Sequence, residues 1–405
     1  MLAFILTSCS ASPILGALGD RVGRRRMLQF SLLAFLIGSL ISGFATSITM
    51  VIAGRGLQGV GGAVFPLAFS VIGSDLPRRR VGMALGLVSS SFSVGGVVGM
   101  PLGGVIMDGL SWRWCYFLPA GLAVVALVLV QGSVRQGVSG DKRSIDVLGG
   151  VLVAGWLTTL LLGMTSGAQV GWTSVPTVSL IGVAIVTFAA WIVIELRVAA
   201  PLIDVRLLAR TPAPLASLAA LATGWVQIGV ISLLPVHLGA ASGLDLSASQ
   251  IGLLYVPGFA VAMIVAPIGG ALGGRHGYRP VLLAGLGLAG ASLILPALVD
   301  EPWAFVVFLG VAMSGVTMAF SALPGLLVTS LPGDVAGGIT GMNTVFRSVG
   351  GAIGAQVGAT LMGVSGSFGV FLWVSIAVMA ISLVVSILLP TNAGESKAPL
   401  IELNS

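Results

Sequence analysis

Apolar residues in this chain fall into long runs separated by short polar, glycine-rich or proline-containing breaks. Most runs match the roughly 20 helical residues needed to cross a hydrocarbon core about 30 Å thick. They predict five helices at 1–18, 28–45, 50–72, 82–107 and 115–130. A polar stretch at 131–146, two further helices at 147–164 and 177–194, and a charged connector at 195–210 read as an inserted hairpin. Six more helices follow at 213–234, 251–272, 281–298, 304–329, 341–361 and 369–389, and 391–405 is a short polar tail. The pattern gives thirteen spans and lacks the short alternating segments of a membrane barrel.

Composition supports this all-α membrane class: 56% of residues are hydrophobic and 8% charged, against roughly 25% charged in soluble domains. The net charge of +6 raises nucleic acid as a partner, but the distribution of charge argues for topology instead. Alternating the spans places 16 of the 19 basic residues on one side, among them Arg21, Arg24 to Arg26, Arg78 to Arg80, Lys142, Arg206 and Arg275. By the positive-inside rule that side is cytoplasmic, and the protein is a multi-pass plasma-membrane protein without a nucleic-acid partner. Cys9 and Cys115 lie in apolar segments and read as packing residues. The chain has no phosphate-binding Gly-x-x-x-x-Gly-Lys-Ser/Thr loop and no His-Glu-x-x-His, so an enzyme, an ATP-driven pump, a metal site and a cofactor are not expected.

The chain also repeats itself. Gly16-Ala17-Leu18-Gly19-Asp20-Arg21-Val22-Gly23-Arg24-Arg25 recurs at 270–279, with seven of ten positions identical. Both copies join consecutive helices on the same side, as two parallel halves related by an axis along the membrane normal require. Internal duplication of this kind points to an alternating-access carrier.

The Gly-x-Leu-x-Asp-Arg-x-Gly-Arg-Arg loop resembles the signature between the second and third helices of the major facilitator superfamily. Arg55-Gly56-Leu57-Gln58-Gly59 resembles its fourth-helix motif, and Trp112-Arg113-Trp114 with Pro119 its sixth-helix motif. The connector at 201–207, and Gly341-Met342-Asn343-Thr344 with Arg347, Gly350 and Gly351, resemble the fourteen-helix drug:proton antiporters of the EmrB/QacA type. The resemblance implies a major facilitator fold of two pseudo-symmetric bundles. Their bounds are 1–132 and 213–390, with a linker and inserted helix pair at 133–212 and a cytoplasmic tail at 391–405. It further implies a secondary transporter exporting hydrophobic or cationic drugs or metabolites in exchange for protons. An importer of the same fold and a non-transporting remnant are the alternatives.

In that frame Gly16, Asp20, Arg21, Gly23, Arg24 and Arg25 form a conformational latch, with Asp20 an anion among arginines. Arg55 lies inside a span, where an unpaired guanidinium costs about 2.5 kcal/mol or more, so it needs a polar partner. Gln58 is one turn on, on the same face, and the resemblance assigns the pair to coupling. Gly95, Gly99 and Gly103, with Pro101 and Gly104 beside them, form a small-residue stripe for close approach of another helix or an antiporter motif. Trp225, Gln227, Asn343, Arg347 and Gln356 are candidates to line a substrate cavity. By the same resemblance the span at 1–18 corresponds to the family's second helix. A first helix, carrying an acid, is then missing, and thirteen spans stand in place of fourteen. A start site placed too late is one account of this, and a protein that couples differently is the other.

Overall fold

The computed structural model describes residues 2–133, 146–198, 206, 213–240, 248–299, 301–330 and 336–388. Among the described residues there is no strand. The first helices are α1 (Leu2–Val22), α2 (Arg24–Gly43), α3 (Ile48–Gly59), α4 (Val64–Asp75), α5 (Arg78–Gly109) and α6 (Trp114–Ser133). α7 (Val147–Val170) and α8 (Val175–Glu195) form the hairpin. The last are α9 (Ala213–Ala240), α10 (Ala248–His276), α11 (Tyr278–Ser292), α12 (Ile294–Leu298), α13 (Pro302–Ser330), α14 (Ala336–Ser365) and α15 (Phe368–Ile387). Eleven stretches, two of them pairs of successive helices, are long and apolar enough to cross a bilayer. α1 and the glycine-rich α14 bring the passes to the expected thirteen.

Two predicted spans are broken where the sequence suggested continuity. Between α3 and α4 the chain tightens into a 3₁₀ turn, Val60–Ala63. A Cβ on Gly61 would lie 2.8 Å from the Phe35 ring, and one on Gly62 would collide with Ser8. The neighbours' closeness thus requires glycines that weaken a regular helix. Between α11 and α12, Pro296 lacks an N–H and its ring excludes the carbonyl of Ser292, so α11 stops there.

The repeated sequence makes the same turn twice. Gly23 (φ 117°) and Gly277 (φ 93°) occupy a backbone region that side chains disfavour. Each N–H donates to the carbonyl four residues back, Gly23 to Gly19 at 3.1 Å and Gly277 to Gly273 at 3.0 Å. Counting from these turns pairs α1 with α10, α2 with α11–α12, α3–α4 with α13, α5 with α14 and α6 with α15. Only α9 has no counterpart among the described helices before the hairpin.

In the first half α2 packs between α3 and α6, while α5 lies along α10. In the second half α9 packs on α14, and α13 on α10 and α11. The halves meet along α5–α10 and α1–α14. α7 and α8 pair with each other, and a separate apolar cluster of Cys9, Trp156, Leu157, Trp191, Met342 and Val345 ties α7 and α8 to α1 and α14.

Candidate functional site

On the side of the basic loops the halves close through backbone contact. Gly82 meets Gly270 and Gly274, and a Cβ on Gly86 would lie 2.7 Å from the Ala266 carbonyl oxygen. Gly341 of α14 sits equally close to Ser12 of α1, and Gly73 of α4 against the side chain of Val328 of α13. Phe65 and Phe69 of α4 stand edge-on to Phe320 of α13, each with its ring centroid 5.7 Å from that ring's. Helices approach this closely only where small residues let them.

At the expected latch, Gly16 and Gly19 are buried and Gly23 makes the turn. Arg25 donates to the Gln131 carbonyl at 2.6 Å, and Gln29 to the Gln131 side chain, which fastens α2 to the end of α6. The side chains of Asp20 and Arg78 lie outside the described residues, so the anion at the centre of the latch does too. Arg21 and Arg24 lie at the ends of α1 and α2 beside the turn.

The packing role expected of Gly95, Gly99 and Gly103 is not what the structure shows. A Cβ on any of the three would meet open space, and Gly95 and Gly99 are exposed. α5 turns a different set of small residues to α10: Gly82, Gly86, Gly96 against Phe259, and Gly104, where a Cβ would lie 3.0 Å from Ser249 Cα. Pro101 lies on this packed side, near Gly252. A four-residue glycine spacing creates a smooth stripe on any helix, and the neighbour available decides which stripe is used.

Arg55 and Gln58 come together as their spacing predicts. Arg55 donates to Gln58 Oε1 at 3.2 Å, and Gln58 donates from Nε2 to Ser39 Oγ at 2.7 Å. The guanidinium also lies over the rings of Phe4 and Tyr116, 5.5 and 5.6 Å from their centroids. A further surface pocket of about 390 Å³ lies between residues 45–48 and Trp112, Arg113 and Tyr116. There Arg113 stacks on Trp112 and donates to the Ala45 carbonyl at 3.2 Å.

The five cavity candidates separate into two roles. Trp225 donates to Ser375 at 2.9 Å and stacks on Phe371, fastening α9 to α15. Asn343 donates to the Ala216 carbonyl at 3.0 Å, clipping α14 to α9. The Gln356 carbonyl accepts from Thr360 within α14. Arg347 and Gln227, by contrast, meet each other: Arg347 donates to Gln227 Oε1 at 2.8 Å, and its guanidinium lies 4.3 Å from the Phe320 ring centre. Cys9 of α1 is adjacent to Arg347 and Ser348. Arg347 Nε and Gln227 Nε2 are enclosed without a hydrogen-bond partner, and such enclosed donors each cost about 1–3 kcal/mol. Sequence reasoning missed Phe320, Phe65 and Cys9, because an aromatic or a thiol in an apolar run looks like any other core residue.

A model of the Major Facilitator Superfamily matches residues 1–355 and, in an overlapping match, 215–402. The chain belongs to the major facilitator superfamily. Among its superfamily relatives, an uncharacterized MFS-type transporter of Mycobacterium tuberculosis is 30% identical over 360 residues, covering 87% of this chain and 52% of that protein. The multidrug transporter protein MdtP of Bacillus subtilis is 26% identical, covering 90% of this chain and 68% of that protein. A multidrug resistance protein B homolog of M. tuberculosis is 30% identical over 89% and 68% respectively. This major facilitator thus spans from about half to about two thirds of the length of these relatives. The crystal structure of the human organic anion transporter MFSD10 superposes with a TM-score of 0.71 at 13% identity, covering 95% of this chain and 82% of that one, a likeness of fold. The protein is a multi-pass membrane protein of this superfamily, and proteins named as multidrug transporters are among its relatives.

Proposed function

We propose that the protein exports a hydrophobic drug or metabolite by alternating access, with proton exchange as its energy source. The observation that carries this reading is the seam closed by Gly82, Gly86 and Gly270 on the basic-loop side, with Arg347 and Gln227 between the halves. A carrier needs such a junction, sealed on one side at a time, with polar groups inside it. The basic loops are taken as cytoplasmic, and residues 1–132 and 213–390 as the two moving bundles, with 133–212 the linker and 391–405 the tail.

We infer also that the complete first bundle includes a helix packed on α5 as α9 packs on α14, in keeping with the fourteen-helix type. The open glycine face of α5 and the lack of a counterpart to α9 support this. A guanidinium is in general a poor proton carrier, so the proposed part of Arg55 in coupling is to tune an acid supplied by that helix. The latch is proposed to be Asp20 with Arg21, Arg24 and Arg25, its release freeing the bundles to rock.

Ethidium accumulation in whole cells expressing the protein tests the direction. An exporter lowers accumulation, and a protonophore abolishes the effect. Raised accumulation would mean an importer, and no change with correctly folded protein would mean that this cation is not exported.

A further inference from the structure

Arg347 is a fixed cation whose surroundings, among the described residues, offer no fixed anion. It is on α14, eleven residues from that helix's start, about 16 Å along the axis from the basic-loop end. The helices around it are α1 through Cys9, α9 through Gln227, and α13 through Phe320, which in turn meets α4. α1, α4, α9, α13 and α14 together contain two acids, Asp20 and Asp75. Asp20 is eleven residues beyond Cys9, again about 16 Å along its helix. Asp75 is the last residue of α4, exposed and accepting from Ser74. α7, which touches α1 and α14, carries its acid at the cap, Asp146, bonded to Gly149 N.

The groups left over at this place are all donors. Gln227 is 99% buried, spends its oxygen on Arg347 and leaves its amide nitrogen without a partner. Arg347 leaves Nε, while the residue as a whole keeps partial access. A guanidinium N–H and an amide N–H, both unspent, are donors from which a charged oxygen group accepts. Beside them the buried rings of Phe320 and Phe69 pack with the partly exposed Phe65 into one apolar cluster that joins both halves.

The geometry points to an oxyanion subsite at Arg347 and Gln227, so that the transported solute is an amphipathic organic anion rather than a cation. Its carboxylate, sulfonate or similar group takes the free donors and its apolar body lies against Phe320. The inference rests on the transporter reading and narrows its substrate class.

The test uses full chain in zwitterionic nanodiscs and three probes sharing one ring system: naphthalene-2-sulfonate, 2-naphthyltrimethylammonium and 2-methoxynaphthalene. The sulfonate is expected to bind tightest. Arg347→Gln should weaken it about tenfold, the scale of one charged hydrogen bond, and Arg347→Lys less. Gln227→Glu supplies the missing anion internally, so it should lose sulfonate binding to a similar degree while melting no lower than wild type. Arg113→Gln should bind as wild type. Equal binding of the ammonium or neutral probe, or unchanged sulfonate affinity in both Arg347→Gln and Gln227→Glu, would overturn the subsite. Competition by phosphatidylglycerol added to the discs would assign the anion to a lipid headgroup and overturn the substrate class. Proteoliposomes separate the two readings. Arg347-dependent binding without movement of sulfonate removes the transporter and keeps the subsite, whereas ethidium movement without sulfonate binding does the reverse.

Discussion

In α14, a Cβ on Gly354 would lie 2.6 Å from the Trp225 carbonyl oxygen, Gly350 sits against the backbone of Leu221, and Gly358 against Leu233 and Phe371. In α5, the paired helix of the other half, Gly95, Gly99 and Gly103 carry the same spacing and meet nothing. The two stripes are alike in sequence and differ only in whether a helix stands in front of them. α9 fills that place in the second half. The first half has no such helix among the described residues, although α5 meets α10 of the other half as α14 meets α1. Small residues make close approach cheap, but they do not supply the partner.

The sharpest way to break this comparison is to put the same large side chain in both stripes. Gly354→Leu must force α9 and α14 apart, with a loss of about 3 kcal/mol or more and little monodisperse protein on size exclusion. Gly99→Leu in the 405-residue chain should change stability by less than about 0.5 kcal/mol. If the two variants destabilise equally in a thermal melt, the open face is not open. With a helix supplied in front of α5, Gly99→Leu should become as harmful as its counterpart.

Next in size is the seam between halves. Gly82→Leu meets backbone of α10 that cannot step aside, so the halves should fail to close on the basic-loop side. A cysteine replacing Val328 should then react faster with a thiol reagent from that side, and an unchanged rate would show the seam to be loose. The turns give a smaller and matched effect: Gly23→Ala and Gly277→Ala should each cost about 1–3 kcal/mol, because both glycines hold a conformation side chains disfavour. A difference of several-fold between them would mean the halves do not share their turn. The smallest effect is that of Trp225→Phe, which keeps the stack on Phe371 and loses the bond to Ser375, about 1 kcal/mol.

The passes themselves were legible because a run of apolar residues long enough to span a bilayer has little else to do. The repeat at 16–25 and 270–279 was legible as identity, and the two positive-φ glycines give it a physical cause. The break at Pro296 was readable in principle, since proline removes a donor; the 3₁₀ turn at Gly61 and Gly62 depends on how closely Ser8 and Phe35 press, which no local pattern carries. Arg55 with Gln58 follows from helical spacing. Arg347 with Gln227 does not, because 120 residues separate them and only the packing of α9 on α14 joins them. Trp225 and Asn343 looked like cavity residues for want of a visible partner, and Ser375 and the Ala216 carbonyl are those partners.

The hairpin of α7 and α8 carries a mechanical implication. Trp156 and Trp191 share one cluster with Cys9 on α1 and with Met342 and Val345 on α14, so a single apolar knot is anchored in both halves at once. Trp172, at the far end of the hairpin, bonds to Thr360 of α14 at 3.4 Å. In the proposed rotation of the halves against each other, this knot would lie in the path of the shear and would have to slip on one anchor or stretch between both. The hairpin would then behave as a spring in parallel with the seam, its stiffness setting how far the halves could open.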